Sequence, residues 1–89
     1  MDTWAYVFVS TRYPKRTIRE IRKIAGVIHA DALFGSPDII AIVKGIDIST
    51  MDAVIDRIAE LKGITATDSK VARWLDGVGP PEPSLTSGR

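Results

Sequence analysis

An approximate internal repeat constrains the fold of this 89-residue chain more than any other feature of its sequence. The run Ile21-Arg-Lys-Ile-Ala-Gly-Val-Ile-His-Ala-Asp31 returns as Ile58-Ala-Glu-Leu-Lys-Gly-Ile-Thr-Ala-Thr-Asp68. In each copy the end of an amphipathic helix is followed by a glycine, and the glycine by an apolar residue that opens a β-branched run. Glycine in this place is typical of the left-handed residue that closes a helix. An apolar run also precedes each copy, so the repeat predicts two strand–helix–strand units in tandem.

Hydrophobic periodicity and turn residues place the elements of these two units in the order βαββαβ. Pro14 suits the first turn of a helix, and Ser49-Thr-Met-Asp52 resembles a capping box at the start of the second helix. The order is that of an α+β ferredoxin-like sandwich, a four-stranded antiparallel sheet with two helices on one face. The predicted elements are strands Thr3–Ser10, Val27–Phe34, Ile39–Gly45 and Ile64–Leu75, and helices Pro14–Ala25 and Thr50–Lys62.

Length and composition indicate one small domain and exclude several classes of protein. We expect the domain to cover residues 1–76 and a disordered tail to cover residues 77–89, where Gly, Pro and Ser dominate. Without cysteine there is neither a disulfide nor a thiolate metal site. A formal net charge of +1 favours neither a nucleic-acid nor a membrane partner, and no apolar stretch is long enough to span a bilayer. A cytoplasmic protein is therefore expected.

The predicted strands are apolar on both faces, which is unusual for a sheet covered on one side only. In the first strand Ala5, Val7 and Val9 alternate with the aromatic residues Trp4, Tyr6 and Phe8. Soluble monomers rarely expose so large an apolar patch. A second copy packed sheet against sheet would cover it, which predicts an isologous homodimer. The alternative is a monomer that exposes a few valines and aromatic residues.

No motif in the sequence predicts an enzyme, a cofactor or a metal site. The single histidine, His29, lies on a predicted strand and has no second histidine to complete a metal site. No nucleophile–base motif and no glycine-rich phosphate loop is present. The first helix is basic, but a helix on the outside of a sheet needs a solvated face, so direct binding of nucleic acid is not expected. Its basic residues are Lys15, Arg16, Arg19, Arg22 and Lys23.

Two stretches of the chain resemble the effector domain of the Lrp/AsnC family, also called the RAM domain. The first is Gly26-Val-Ile-His-Ala-Asp-Ala-Leu-Phe-Gly-Ser-Pro-Asp-Ile-Ile-Ala-Ile-Val-Lys44, which includes a G-x-x-D turn at Gly35–Asp38. The second is Leu61-Lys-Gly-Ile-Thr-Ala-Thr-Asp-Ser69, which is similar to the family's G-V-x-x-T-x-T. Together with the βαββαβ order, the resemblance covers about residues 3–75.

The resemblance implies a small-molecule sensor that takes part in transcription regulation. Full-length members carry an N-terminal helix-turn-helix domain. Because the first strand begins at about Thr3, this chain resembles a stand-alone form that would act beside a full-length relative. The family implies homodimers formed through the sheet faces, assembly into octamers or decamers, and an amino-acid ligand bound between dimers. Carried over by motif, the effector-binding residues are Gly35, Ser36, Pro37, Asp38, Thr67 and Ser69, with Ile48 contributed by a neighbouring subunit.

At this site the sequence departs from the family, which commonly has a larger or charged residue and then an aromatic where this chain has Ser36-Pro37. Proline donates no N–H. Asp38 could pair a ligand ammonium through a charge-assisted hydrogen bond, or it could only close the hairpin through an Asx bond. Two other functions stay open at this point. One is a purely structural assembly subunit with no ligand, and the other is an ACT-like regulatory subunit of an amino-acid enzyme.

Overall fold

The computed structural model describes residues 2–72, and the expected tail at residues 77–89 lies outside them. The chain forms strands and helices in the predicted order βαββαβ. The elements are β1 Thr3–Thr11, α1 Pro14–Arg22, β2 Val27–Ala32, β3 Ile39–Gly45, α2 Ile48–Ala59 and β4 Ile64–Val71. In the described part of the chain, no helix is long and apolar enough to cross a membrane.

The four strands form one antiparallel sheet in the order β2-β3-β1-β4. β1 lies at the centre, with Val7 opposite Ala41 of β3 on one side and opposite Ser69 of β4 on the other. Both helices pack on the sheet, α1 mainly against β2 and α2 mainly against β3. The predicted α+β ferredoxin-like sandwich is confirmed.

The hydrophobic core lies between the helices and the sheet face formed by alternate residues of the two central strands. From β1 this face contributes Ala5, Val7 and Val9, each fully buried. The side chains from the other elements that share this core are Ile21, Ala30, Ile39, Ala41, Val43, Met51, Val54 and Ile58. The buried hydroxyls of Thr11 and Thr17 form a hydrogen bond of 2.7 Å, which satisfies both where β1 approaches α1.

The opposite face, which we call the open face, carries no helix within residues 2–72 and is apolar along the two central strands. Tyr6 and Phe8 of β1 and their cross-strand partners Ile42 and Ile40 of β3 are all half-buried. Trp4 lies at one end of this face, where the Nζ of Lys44 is 5.3 Å from its ring centroid. The alternation predicted for β1 is therefore correct, and β3 alternates in the same way.

Both helices differ from their predicted bounds. α1 ends at Arg22 rather than Ala25, because the chain makes a further turn in which the N–H of Val27 bonds to the carbonyl of Ile24. Gly26 (φ +99°) has the positive φ that a type II turn requires at its third position. Gly63 (φ +91°) occupies the same place after α2, which ends at Ala59 rather than Lys62. The two glycines are left-handed as predicted, but they close these turns rather than the helices.

α2 begins at Ile48, before the predicted Thr50, because Asp47 rather than Ser49 is its N-cap. The Oδ1 of Asp47 accepts hydrogen bonds from the backbone N–H of Thr50 at 2.8 Å and from its hydroxyl at 2.7 Å. An N-cap aspartate satisfies one of the free N–H groups of the first turn.

Three strands also differ from prediction at their ends. β1 extends one position further, to Thr11, whose N–H bonds to a side chain rather than to a neighbouring strand. β2 ends at Ala32 rather than Phe34, and a bulge between Val27 and His29 shifts its register. Val27 therefore packs on the core while His29 is exposed, although simple alternation places them on one face. β4 is described as a strand to Val71, and the predicted end at Leu75 lies outside the described residues.

Candidate functional site

The turn between β2 and β3 is held in place by Asp38. The N–H of Leu33 donates to the carbonyl of Asp38 at 2.7 Å, which closes the turn. The N–H of Asp38 donates to the carbonyl of Val9 at 2.9 Å, and its Oδ2 accepts a hydrogen bond from the N–H of Thr11, also at 2.9 Å. Asp38 therefore connects the turn to the end of β1. The alternative role predicted for Asp38 is to close its own hairpin through a local Asx bond. Its carboxylate instead bonds to the N–H of Thr11, which is distant in sequence.

Gly35 lies at the tip of the turn, away from the other described residues of the chain. Gly35 has a φ of +89° and would have no neighbour within 4 Å even if it carried a Cβ. The peptide bond between Ser36 and Pro37 is cis. Phe34 is the one aromatic residue of the turn. Its side chain is fully exposed and packs against no other residue in the described part of this chain.

A cavity of about 400 Å³ lies between this turn and β4, beside the open face. Its volume is within the range of small-molecule sites, although one side of it is open to solvent. Its lining combines apolar surface, hydroxyl groups and one carboxylate. The lining residues are Phe8, Ser10, Ser36, Pro37, Ala66, Thr67 and Asp68.

The structure brings three of the predicted effector-binding residues together in this cavity, namely Ser36, Pro37 and Thr67. Gly35 and Asp38 belong to the same turn but do not line the cavity, and Ser69 lies further along β4. Ile48 is remote from it, because it begins α2 at the other end of β3. The seven residues of β3 separate that end from the turn by roughly 20 Å, at about 3.3 Å per residue.

Sequence reasoning missed Phe8, Ser10, Ala66 and Asp68 as cavity residues. The register of the two strands could have identified them, because Phe8 pairs with Asp68 and Ser10 pairs with Ala66. Hydrophobic alternation alone does not predict which residue of β1 pairs with which residue of β4, because all the other strands and helices lie between these two strands in the sequence.

The charged side chains of β4 beside the cavity form one exposed ion pair. The Nζ of Lys70 is 3.5 Å from the Oδ2 of Asp68, and both side chains are about two-thirds exposed. Such pairs contribute little to stability in water, so Asp68 stays accessible to a cationic ligand. In residues 2–72, no group of three or more His, Asp or Glu side chains is arranged to hold a metal ion.

Solved structures with this fold come from several organisms. TTHA0845 from Thermus thermophilus superimposes with a TM-score of 0.76 at 22% identity, over 82% of this chain and 95% of that one. The AsnC structure from E. coli has a TM-score of 0.74 at 14% identity, covering 91% of this chain and 57% of that one. The complex of the transcriptional regulator NMB0573 with L-Met from Neisseria meningitidis has a TM-score of 0.69 at 20% identity, covering 93% and 58%.

At these identities the three structures show a shared fold. This chain also spans little more than half the length of the AsnC and NMB0573 chains. No curated protein sequence matches this chain significantly.

The family follows from the sequence profile of the Lrp/AsnC ligand-binding domain, which matches residues 5–73. That range runs from β1 to beyond the end of β4, so it contains both helices, the β2–β3 turn and the cavity. The chain belongs to the Lrp/AsnC ligand-binding domain family of transcription regulators.

Proposed function

We propose that this protein is an amino-acid-sensing oligomerisation module of the Lrp/AsnC type. The observation that carries the proposal is the position of the cavity, which lies between the family's G-x-x-D turn and β4 at the border of the apolar open face. Ligand bound there would touch both the turn and any copy packed on that face. The regulator NMB0573 binds L-Met, which supports an amino acid as the first class of ligand to test.

The cavity has a suitable group for each part of a free amino acid. Phe8, Pro37 and Ala66 provide apolar surface for an aliphatic side chain, and the hydroxyls of Ser10 and Ser36 can donate to the carboxylate. A carboxylate is needed for the ammonium, because an uncompensated charge in a partly desolvated site is costly.

Two carboxylates are candidates for that role. Asp38 is the partner that the family motif implies, and its Oδ2 is already occupied by the N–H of Thr11, which leaves Oδ1 for the ligand. Asp68 is the second candidate, because it lines the cavity directly. Comparison of the two asparagine variants separates the candidates.

Assembly is the second part of the proposal. The open face would pair with that of a second copy to form a homodimer, and dimers would assemble further into an octamer or decamer. Ile48 is 61% exposed and lies far from the cavity of its own chain. Its expected contribution to an effector site is therefore proposed for the cavity of a neighbouring copy. Because the ligand would bridge copies, it would stabilise the larger assembly by mass action.

A thermal-shift screen of the twenty amino acids, combined with light scattering, tests the proposal. We expect at least one amino acid to raise the melting temperature in a saturable way and to increase the mass of the assembly. If no amino acid changes either quantity while the protein is oligomeric, the structural-subunit function replaces the sensor. Co-purification with an amino-acid enzyme would instead favour the ACT-like function.

Affinity measurements on variants then test the ligand-binding residues. For the carboxylate that pairs the ammonium, Asp→Asn should remove a charged hydrogen bond of about 1.5–3 kcal/mol. That is roughly ten- to a hundredfold in affinity.

Asp38→Asn keeps an oxygen for the N–H of Thr11, so its effect on folding is small. Ser10→Ala should cost about 0.5–1.5 kcal/mol, one neutral hydrogen bond. Calorimetry with the screened amino acid measures all three, and unchanged affinity in both asparagine variants would contradict the proposed recognition of the ammonium.

The proposal includes co-assembly with a full-length relative that carries a DNA-reading domain. We therefore expect no sequence-specific binding of operator DNA by this chain alone at physiological salt. Residual contacts through the basic residues of α1 should weaken steeply as salt increases. A mobility shift that depends on operator sequence, with this protein alone, would contradict the proposal.

A further inference from the structure

A second cavity, of about 510 Å³, lies where β1 leads into α1 and where α2 leads into β4. Its lining comes from two short segments that are distant in sequence. The lining residues are Arg12, Tyr13, Lys62, Gly63, Ile64 and Thr65. None of them lines the cavity beside the β2–β3 turn, so the two sites are separate.

The two charged side chains that line this second cavity are both cationic. Arg12 and Lys62 line it, and no carboxylate does. Within residues 2–72 neither of these two side chains forms a salt bridge, although Lys23, Lys44 and Lys70 do. The guanidinium of Arg16 lies 5.0 Å from the centroid of the Tyr13 ring and adds a third cation nearby. Tyr13 is also the N-cap residue of α1, so the positive end of the helix dipole is at the same place.

The backbone of the cavity is fixed by interactions between its two segments. The N–H of Arg12 donates to the carbonyl of Gly63 at 3.0 Å, and the N–H of Tyr13 donates to the hydroxyl of Thr11 at 3.1 Å. The Tyr13 ring packs against Gly63 so closely that a Cβ on the glycine would be 2.5 Å from the ring. The backbone of the site is therefore in place before any ligand arrives, which lowers the entropic cost of binding.

The side-chain groups of the lining select an oxyanion. A guanidinium and an ammonium only donate hydrogen bonds, and the hydroxyls of Tyr13 and Thr65 can also donate. Arginine binds phosphate in a bidentate manner, and lysine adds a point charge. The volume is that of a small-molecule site rather than of a single inorganic ion.

We infer that this cavity binds the phosphate group of a small phosphorylated molecule the size of a nucleoside monophosphate. The inference goes beyond the proposed function, because it concerns a different site and a different class of ligand. Phosphate is also supplied by the backbone of nucleic acids, so the experiment includes a duplex DNA to distinguish the two sources.

Titration of the ¹⁵N-labelled protein with AMP tests the inference without any substitution. We expect AMP to shift the amide signals of Gly63 and Thr65 in a saturable way. Inorganic phosphate should shift the same signals more weakly, and adenosine should not shift them. If AMP and phosphate leave both signals unchanged at millimolar concentration, the inference is overturned. A short duplex DNA of unrelated sequence that binds more tightly than AMP and displaces AMP would also overturn the inference, because the ligand would then be a nucleic acid.

Two charge-removing variants and a matched control complete the test. Arg12→Gln and Lys62→Gln should each reduce affinity for AMP by about ten- to a hundredfold, as expected for loss of a charged hydrogen bond. Arg19→Gln removes the same unit of charge from an exposed position of α1 that does not line the cavity, and it should change affinity less than twofold. Equal losses in all three variants would indicate nonspecific attraction to a basic surface and would overturn the site.

Discussion

At the scale of single residues, Asp47 decides where α2 begins. Its carboxylate is exposed and accepts two hydrogen bonds from Thr50, which lower its pKa below the ordinary value of 3.8. A group whose pKa is lower in the folded state stabilises that state above its unfolded pKa, and the contribution is lost as the pH falls through the folded pKa.

We therefore expect Asp47→Ala to lower the melting temperature at pH 7 and to have a diminishing effect as the pH falls below 3.8. Asp47→Asn retains an N-cap acceptor and should preserve most of the stability at pH 7. Thermal unfolding monitored by circular dichroism at pH 7 and pH 2.5 measures both variants. A melting temperature for Asp47→Ala that is lowered equally at both pH values would contradict a role for the carboxylate charge.

Asp38 shows how much of a single residue's position and bonding can be predicted from the sequence. The G-x-x-D spacing places Asp38 in the β2–β3 turn, and that placement is confirmed. The partner of its carboxylate is the N–H of Thr11, which is distant in sequence. No local pattern predicts this bond, because it depends on how the end of β1 lies beside the turn in the folded sheet.

At the scale of elements, the sequence predicts the type and order of the helices and strands. It does not predict where each element ends or how the strands are aligned with one another. The repeat predicts both helices and the strands after them, because periodicity depends only on nearby residues. The end of α1 depends instead on a turn at Ile24–Val27, and the bulge in β2 depends on its pairing with β3. The bulge is fixed by a tertiary contact that overrides local alternation, whereas the turn is closed by a local hydrogen bond and the sequence pattern assigns its glycine to the end of the helix instead.

The turn after α1 gives a prediction at this scale. Gly26 has a positive φ, and a Cβ there would lie 2.5 Å from a methyl carbon of Val54, which is buried. Gly26→Ala should therefore cost about 1–2 kcal/mol for the left-handed backbone, and about 1–3 kcal/mol more for the steric overlap. Gly35→Ala is the matched control, because it has a positive φ but no neighbour within 4 Å. It should lose only the first contribution. Urea unfolding compares the two variants, and equal losses would show that the overlap with Val54 relaxes freely.

At the scale of the whole molecule, the two faces of the sheet have different roles. The helices bury one face of the two central strands, whereas the open face leaves Tyr6, Phe8, Ile40 and Ile42 half-buried in the described part of a single chain. The alternation of residues along β1 predicts which of its side chains lie on the buried face and which lie on the open face. The surface that covers the open face could not be derived in the same way, because a partner's contribution is not encoded in the periodicity of one strand. The homodimer therefore stays a prediction.

Two neighbouring substitutions on β1 test that prediction. Val7 is fully buried beneath the helices, so Val7→Asp should place an unpaired carboxylate in the core and unfold the domain. Phe8 lies on the open face, so Phe8→Asp should preserve the fold and separate the dimer. Ala53→Asp, at an exposed position of α2, is the control and should change neither. Circular dichroism reports folding, and light scattering reports mass relative to the 9.7 kDa monomer. A wild-type mass equal to the monomer at micromolar concentration would contradict the dimer, whereas an unchanged oligomer in Phe8→Asp would show that copies meet through another surface.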